Sequence, residues 1–466
     1  MEKIVGSFEL TAALEFAGFG KATYISLLAC GFACSLPYLL SNQLYFYRIR
    51  FEETLNLTTE DKKINNIFTY VALTTGTLVA AVCSEMKVLG RRSTLISLSL
   101  IHTLCLIVIS IIRNKIWYIL FKTMSSFSAS GAALVGVLYC EEFSHPSFRG
   151  SMTVTLQLAC LFATLLIPFG IVVSLVPLIS AILMIYLPEN PLFLLSVRGE
   201  SKALLAIKKI YSINNINEKF LLNGLKSNEE TANQMKKTTE GIPTRYAIIS
   251  LIIANFLFSF SYYALVMWYP GLLPRHDFFH QVALFSSKEF ACDYGFLSDN
   301  YFIGNQTIIR RLNYAQNYFK VEDYFQVIIT VSMSLPVLSW MVNKIDVLGR
   351  KFFVFLSLFT ASIFVFWSYY VANTIVQLLF SGTFYALYTM FATSIACLAV
   401  EVSKRRAITL ALVSIGGHIG TILGSAGFVL YFNLSCFQFT MILSLMMEVV
   451  GLLVLFIAPA EGIPFY

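Results

Sequence analysis

Charge is what this chain has least of. Only 13% of its 466 residues are Asp, Glu, Lys or Arg, while 57% are hydrophobic and the mean hydropathy is +0.72. A soluble domain carries roughly 25% charge, so composition excludes a soluble enzyme and makes the bilayer the solvent of this chain. Other absences narrow the reading. There is no Gly-x4-Gly-Lys-Ser/Thr phosphate loop, so no nucleotide is expected as energy source. Nothing pairs a nucleophile with a base, and the nine cysteines show no metal-ligand spacing, so neither enzyme chemistry, cofactor nor metal is expected. The net charge of +7 sits in short basic clusters between apolar runs rather than along one face, which excludes nucleic acid as partner. Residues 1–20 contain Glu2, Glu9 and Glu15 and no apolar core with a cleavage site, so no removable signal is expected. Only Cys292 and Cys436 would face an oxidising side, and nothing in the sequence fixes their distance.

What is present is a series of long apolar runs. They place spans near 23–45, 64–84, 93–112, 116–140, 151–168, 170–187, 246–268, 325–342, 352–371, 374–400, 407–430 and 437–458. The run 151–187 is either two short spans turning at Pro168-Phe169-Gly170 or one long helix. Loop charge decides between them. Arg91-Arg92, Arg149, the lysine-rich 188–245, Arg350-Lys351 and Lys404-Arg405-Arg406 share one side only if that run crosses twice. The expectation is twelve transmembrane helices in two six-helix bundles, an all-α membrane protein with both termini cytoplasmic, in the plasma membrane or a vesicle. Asn-x-Ser/Thr sequons at Asn56, Asn305 and Asn433 then all face outward as glycosylation sites. The chain divides into a cytoplasmic N-terminus 1–22, a first bundle 23–187, a linker with short helices 188–245, a second bundle 246–458 that includes an outward loop 270–324, and a cytoplasmic C-terminus 459–466. The aromatic content of 270–324 favours a small ordered cap.

The two halves echo each other. Lys87-Val88-Leu89-Gly90-Arg91-Arg92 follows span 2, and Asp346-Val347-Leu348-Gly349-Arg350-Lys351 follows span 8. The glycine permits a tight turn, and the basic pair can reach carboxylates at neighbouring helix ends. Here the chain resembles the major facilitator superfamily, whose loop between second and third helix of each half carries such a signature. Lys87 stands where that family has an acid, so a charge lock at that position is altered or lost. Glu142 with Arg149-Gly150, Pro188-Glu189-Asn190-Pro191, Glu401 with Arg406, and Pro459-Ala460-Glu461-Gly462 are similar to segments of its sugar-porter and organic-ion branch. Phe8-Glu9-Leu10, Gly18-Phe19-Gly20-Lys21 and Met267-Trp268-Tyr269-Pro270 look most like synaptic-vesicle-glycoprotein-2-like transporters. The resemblance implies the major facilitator fold, a midplane site, and cytoplasmic gating charges at Arg91, Arg92, Glu142, Arg149, Asp346, Arg350, Glu401 and Arg406.

Polar groups inside spans are costly and need a partner or a wet cavity. Lys122 in span 4 draws an anionic solute, pairs with a carboxylate, or snorkels to the headgroups. His418 in span 11 sits among Gly416, Gly417 and Gly420, so that another helix approaches while the imidazole projects into a cavity or packs against backbone. Asn42, Gln157, Asn255, Tyr262, Tyr385 and Tyr388 complete the substrate-binding candidates. The sugar porters that the chain resembles hold an aspartate in span 1 and paired glutamines in span 7, and this sequence has neither, so the resemblance disfavours proton-coupled sugar transport. The set suits a small amphipathic organic solute, an organic ion or another metabolite, moved by alternating access through a monomer in the lipid bilayer. The alternative is a transporter-like glycoprotein that no longer transports and binds partners through 270–324.

Overall fold

The computed structural model describes residues 13–14, 17–55, 57–144, 148–164, 171–216, 244–266, 321–368, 370, 374–403, 405–431 and 436–457. Among these residues all regular structure is helical. The first half holds α1 (Lys21–Thr54), α2 (Thr59–Glu85), α3 (Gly90–Ile111), α4 (Lys115–Phe143), α5 (Arg149–Thr164) and α6 (Ile171–Tyr186). Two short helices follow, α7 (Pro191–Val197) and α8 (Glu200–Asn214). The second half holds α9 (Thr244–Val266), α10 (Val321–Leu348), α11 (Arg350–Ser368), α12 (Thr374–Val402), α13 (Arg406–Tyr431) and α14 (Cys436–Ile457).

Each of the twelve expected spans coincides with one long helix, and the contested run 151–187 forms two, α5 and α6. Among the described residues seven helices are long and apolar enough to cross a membrane. The loop 270–324 falls almost wholly outside the described residues, as do Asn56, Asn305, Asn433 and Cys292. Cys436 begins α14, with its side chain outside them.

The duplicated turn is the start of a duplicated packing scheme. In the first half α1 packs on α4, α5 and α6, α2 on α4, and α3 on α4 and α6. In the second half α9 packs on α12, α13 and α14, α10 on α12, and α11 on α12 and α14. The halves meet where α2 packs against α13 and α5 against α10. Both repeated turns need their glycine, since Gly90 and Gly349 have φ of 73° and 91°, a region that L side chains rarely adopt.

Between membrane helices close approach replaces the hydrophobic effect as the cohesive force, because lipid is as apolar as a side chain. Gly420 and Gly424 of α13 let α9 come so near that an added Cβ would lie 2.2 Å from the Phe256 carbonyl and 2.3 Å from that of Phe260. The collision would be with backbone, which cannot swing aside. Gly420→Val is therefore expected to destabilise the second half by about 1–3 kcal/mol or more. The check is thermal denaturation in detergent, where an unchanged midpoint would contradict this contact.

The linker helices hold the first turn from below. Asn190 caps α7 by accepting from Leu192 N at 2.9 Å, and Pro191 supplies the preset first residue. Arg198 at the end of α7 donates to the carbonyls of Lys87 at 2.7 Å and Val88 at 2.9 Å. From α8, Tyr211 donates to the Ala13 carbonyl at 2.8 Å, and Asn214 accepts from Ala22 N at 2.8 Å. The end of the bundle that carries these helices is called the linker end below.

Candidate functional site

A cavity of about 510 Å³ lies between the two halves. Its lining begins at Leu57, Asn65 and Tyr118, at the end away from the linker, and reaches inward to Thr153 and Leu410. Each of those two residues is four positions, about one helical turn, from an arginine of the linker end, Arg149 and Arg406 respectively. The far mouth carries an ion pair, Lys115 Nζ to Asp61 at 2.9 Å. That ammonium, with the Thr58 backbone and hydroxyl, holds the Asp61 carboxyl down to about 2.

Five of the eight substrate-binding candidates line the cavity: Lys122, Gln157, Asn255, Tyr388 and His418. Lys122 is only 7% exposed. His418 is among the residues lining the cavity, while Gly416 and Gly417 face Ile252 and Asn255 of α9. Tyr262 and Tyr385 are not among the residues lining the cavity. Tyr262 lies behind Tyr388, its ring stacked on it at 4.0 Å and 11°, and Tyr385 sits 6.2 Å from Tyr262. The neighbouring Tyr263 lines the cavity instead, since consecutive residues on a helix point about 100° apart. Asn42 lies in α1 with its side chain outside the described residues.

Two cavity atoms stand out chemically. Gln157 Nε2 on α5 and His418 Nε2 on α13 are buried with no hydrogen-bond partner. They come from opposite halves. Buried polar groups are nearly always satisfied, and leaving one unmet costs about 1–3 kcal/mol. Asn255 differs, since its Nδ2 donates to the Val413 carbonyl at 2.7 Å and so ties α9 to α13. The serine run on α4, Ser125, Ser126, Ser128 and Ser130, is buried; Ser130 lines the cavity, and Ser125 meets His102 Nδ1 of α3 with its carbonyl at 3.0 Å.

Below the cavity floor the linker end is closed by charge. Glu142 of α4 pairs with Arg91 of α3 within the first half, and with Arg406 of α13 across the interface at 3.7 Å. Glu401 of α12 pairs with Arg350 of α11 at 3.2 Å. Asp346, at the end of α10, crosses to the start of α5. It accepts from Gly150 N at 3.1 Å, from Ser151 N at 2.9 Å and from the Ser151 hydroxyl, while also pairing with Arg350 at 2.8 Å. A carboxylate there meets the unsatisfied N–H groups and positive dipole of a helix N-terminus.

Arg92 does not join this cluster. Its guanidinium donates to the carbonyls of Met184 and Ile185 on α6 at 2.9 and 2.8 Å, which ties α3 to α6. Lys87 is exposed and forms no counterpart to the Asp346 bridge. Sequence reasoning missed Asn65, Asn66, Thr69 and Tyr70 on α2, which line the cavity, and Glu141, which is buried beside Glu142. The pair of adjacent acids in an apolar run was the available signal for Glu141.

The comparisons with known proteins agree with this architecture. Over 97% of this chain and 96% of the other, the structure is similar to the proton:xylose symporter XylE bound to 6-bromo-6-deoxy-D-glucose, with TM-score 0.62 and 15% identity. The chain has the major facilitator fold. It is similar also to the partially occluded inward open conformation of the xylose transporter XylE from E. coli, at TM-score 0.58 and 14% identity over 100% of both chains. Residues 38–169 match the family described as sugar (and other) transporter. Among curated protein sequences none matches. The major facilitator fold and its apolar helices make the chain an integral multi-pass membrane protein.

Proposed function

We propose that this chain is a transporter that moves a small amphipathic organic solute across the membrane by alternating access, in the organic-ion branch resembling synaptic-vesicle-glycoprotein-2-like proteins. The observation that carries this reading is the pair of unsatisfied buried nitrogens, Gln157 Nε2 and His418 Nε2, offered from opposite halves to one cavity at their interface. A solute bridging them would satisfy both and would feel any rocking of one half against the other. The volume of about 510 Å³ lies within the range that holds drug-sized ligands. Aromatic faces at Tyr263 and Tyr388 and one cation at Lys122 suit a solute with an apolar ring and a polar or anionic head. Positive-inside charge puts the linker end in the cytoplasm, so the conformation described is closed inward and accessible outward.

The test is a thermal-shift screen of purified protein against organic anions, organic cations and sugars, with hits taken to flux in proteoliposomes. A ligand at a hundred times its Kd stabilises by about 2.7 kcal/mol, and Gln157→Ala should weaken that ligand by about tenfold or more. Saturable flux abolished with binding supports the reading. Binding without flux, or partner capture through 270–324 alone, would overturn it.

A further inference from the structure

We propose that Glu141 is a proton-binding site that couples the cavity to the linker-end gate. This rests on the alternating-access reading above, in which closure at the linker end is one of two states.

The geometry around Glu141 is unusual in three respects. Its side chain is buried in α4, the residue being 1% exposed, and Oε2 has no hydrogen-bond partner at all. The other oxygen, Oε1, accepts from the Thr153 hydroxyl of α5 at 3.0 Å, and Thr153 itself lines the cavity. That hydroxyl is also 3.0 Å from the Arg149 carbonyl, so two acceptors compete for one hydrogen. A proton on Glu141 resolves the competition. The carboxylic acid donates to Thr153 Oγ1, and Thr153 then donates to the Arg149 carbonyl, leaving every oxygen in that chain correctly matched. The step is a simple uptake: a proton from water in the cavity passes to the carboxylate by way of the Thr153 hydroxyl, and no bond other than O–H changes.

The charges facing Glu141 explain how such uptake would reach the gate. Arg149 approaches from α5, Glu401 and Cys397 from α12, and Arg406 from α13, while Glu142 and Cys140 flank it on α4. With Glu141 ionised, its negative charge faces both Arg149 and Arg406. Protonation withdraws that negative charge from a cluster where Arg149 of the first half already faces Arg406 of the second. Repulsion then acts across the interface and loosens the closed end.

The experiment uses the full chain in lipid nanodiscs, with fluorescent noncanonical residues at Val88 and Val347. These are 88% and 77% exposed, on the repeated turns of opposite halves. Energy transfer between them reports the linker-end separation as pH is lowered from mildly alkaline to mildly acidic at constant sodium, and as sodium is varied at constant pH. In the natural sequence the separation should widen on acidification as a one-proton titration. The closed-to-open ratio should change by about 5–150-fold, the usual span of site-to-site coupling. Glu141→Gln should remove the titration and hold the wider state, and Glu141→Asp, which keeps a carboxyl, should restore a titration with a displaced midpoint. A Glu141→Gln protein that still titrates like the natural one, or a response to sodium in place of protons, overturns the proposal. Two separations whose populations ignore pH overturn the proton site while leaving alternating access standing. A single separation under every condition overturns both.

Discussion

Glu142→Gln is expected to destabilise the folded protein by about 3–5 kcal/mol, the largest single loss anticipated for a side chain of this molecule. The carboxylate is buried, with a side chain only 2% exposed, and it holds Arg91, whose side chain is 8% exposed. Replacing it with an amide leaves a guanidinium desolvated and uncompensated, which is the costly half of the buried-pair problem. Arg91 has a second support, the Phe193 ring 5.1 Å beneath its guanidinium, but a cation–π contact contributes only about 0.5–2 kcal/mol. The measurement is the midpoint of thermal denaturation in lipid nanodiscs. Adding Arg91→Met to Glu142→Gln should recover much of the loss, since replacing a buried pair by apolar groups is often neutral or stabilising. Additive losses in the double variant would show that the two residues do not act as a pair. Because Glu142 also meets Arg406 at 3.7 Å, a smaller part of the effect belongs to the interface between halves.

The helices of this protein were legible in its sequence because a span announces itself by length and apolarity, and because loop charge resolved 151–187 into α5 and α6. The repeated glycine turn was equally legible, and Gly90 and Gly349 do take the conformation that only glycine adopts readily. Which face of a span meets the cavity was not legible. Helix α9 is apolar nearly all round, so no polar stripe distinguished Tyr263, which lines the cavity, from Tyr262, which lies behind Tyr388. On α2 the lining residues Asn65, Asn66, Thr69 and Tyr70 follow the polar stretch Thr58–Lys63, and in a linear reading they pass for loop chemistry. Partner choice at the linker end was hidden for another reason. Sequence pairs charges that are near in the chain, whereas Asp346 reaches Ser151 across 195 positions.

That long-range contact carries the second large effect. Asp346→Ala is expected to shift the protein from the closed linker end toward the open one by about tenfold to a hundredfold. The carboxylate receives three hydrogen bonds from the first turn of α5, two from backbone N–H groups and one from the Ser151 hydroxyl. Hydrogen bonds to a charged group contribute about 1.5–3 kcal/mol, and each 1.4 kcal/mol is a factor of ten in an equilibrium. These bonds join α10 to α5, hence one half to the other, so their loss falls on the conformational equilibrium more than on the folding of either half. Asp346 also pairs with Arg350 inside the second half, which adds a modest loss of thermal stability to the shift. The shift can be read as increased separation between fluorescent residues placed at the exposed Val88 and Val347. The same sequence position in the first half sets the control. Lys87 is exposed and offers no carboxylate to α13, so Lys87→Ala should change both the equilibrium and the stability by no more than about 0.5 kcal/mol. Equal effects of the two substitutions would mean that the gate is symmetric after all and that the Asp346 bridge is incidental. Unequal effects would show that two turns alike in sequence have diverged, one latching the halves and the other held by Glu189 and Arg198 of the linker segment.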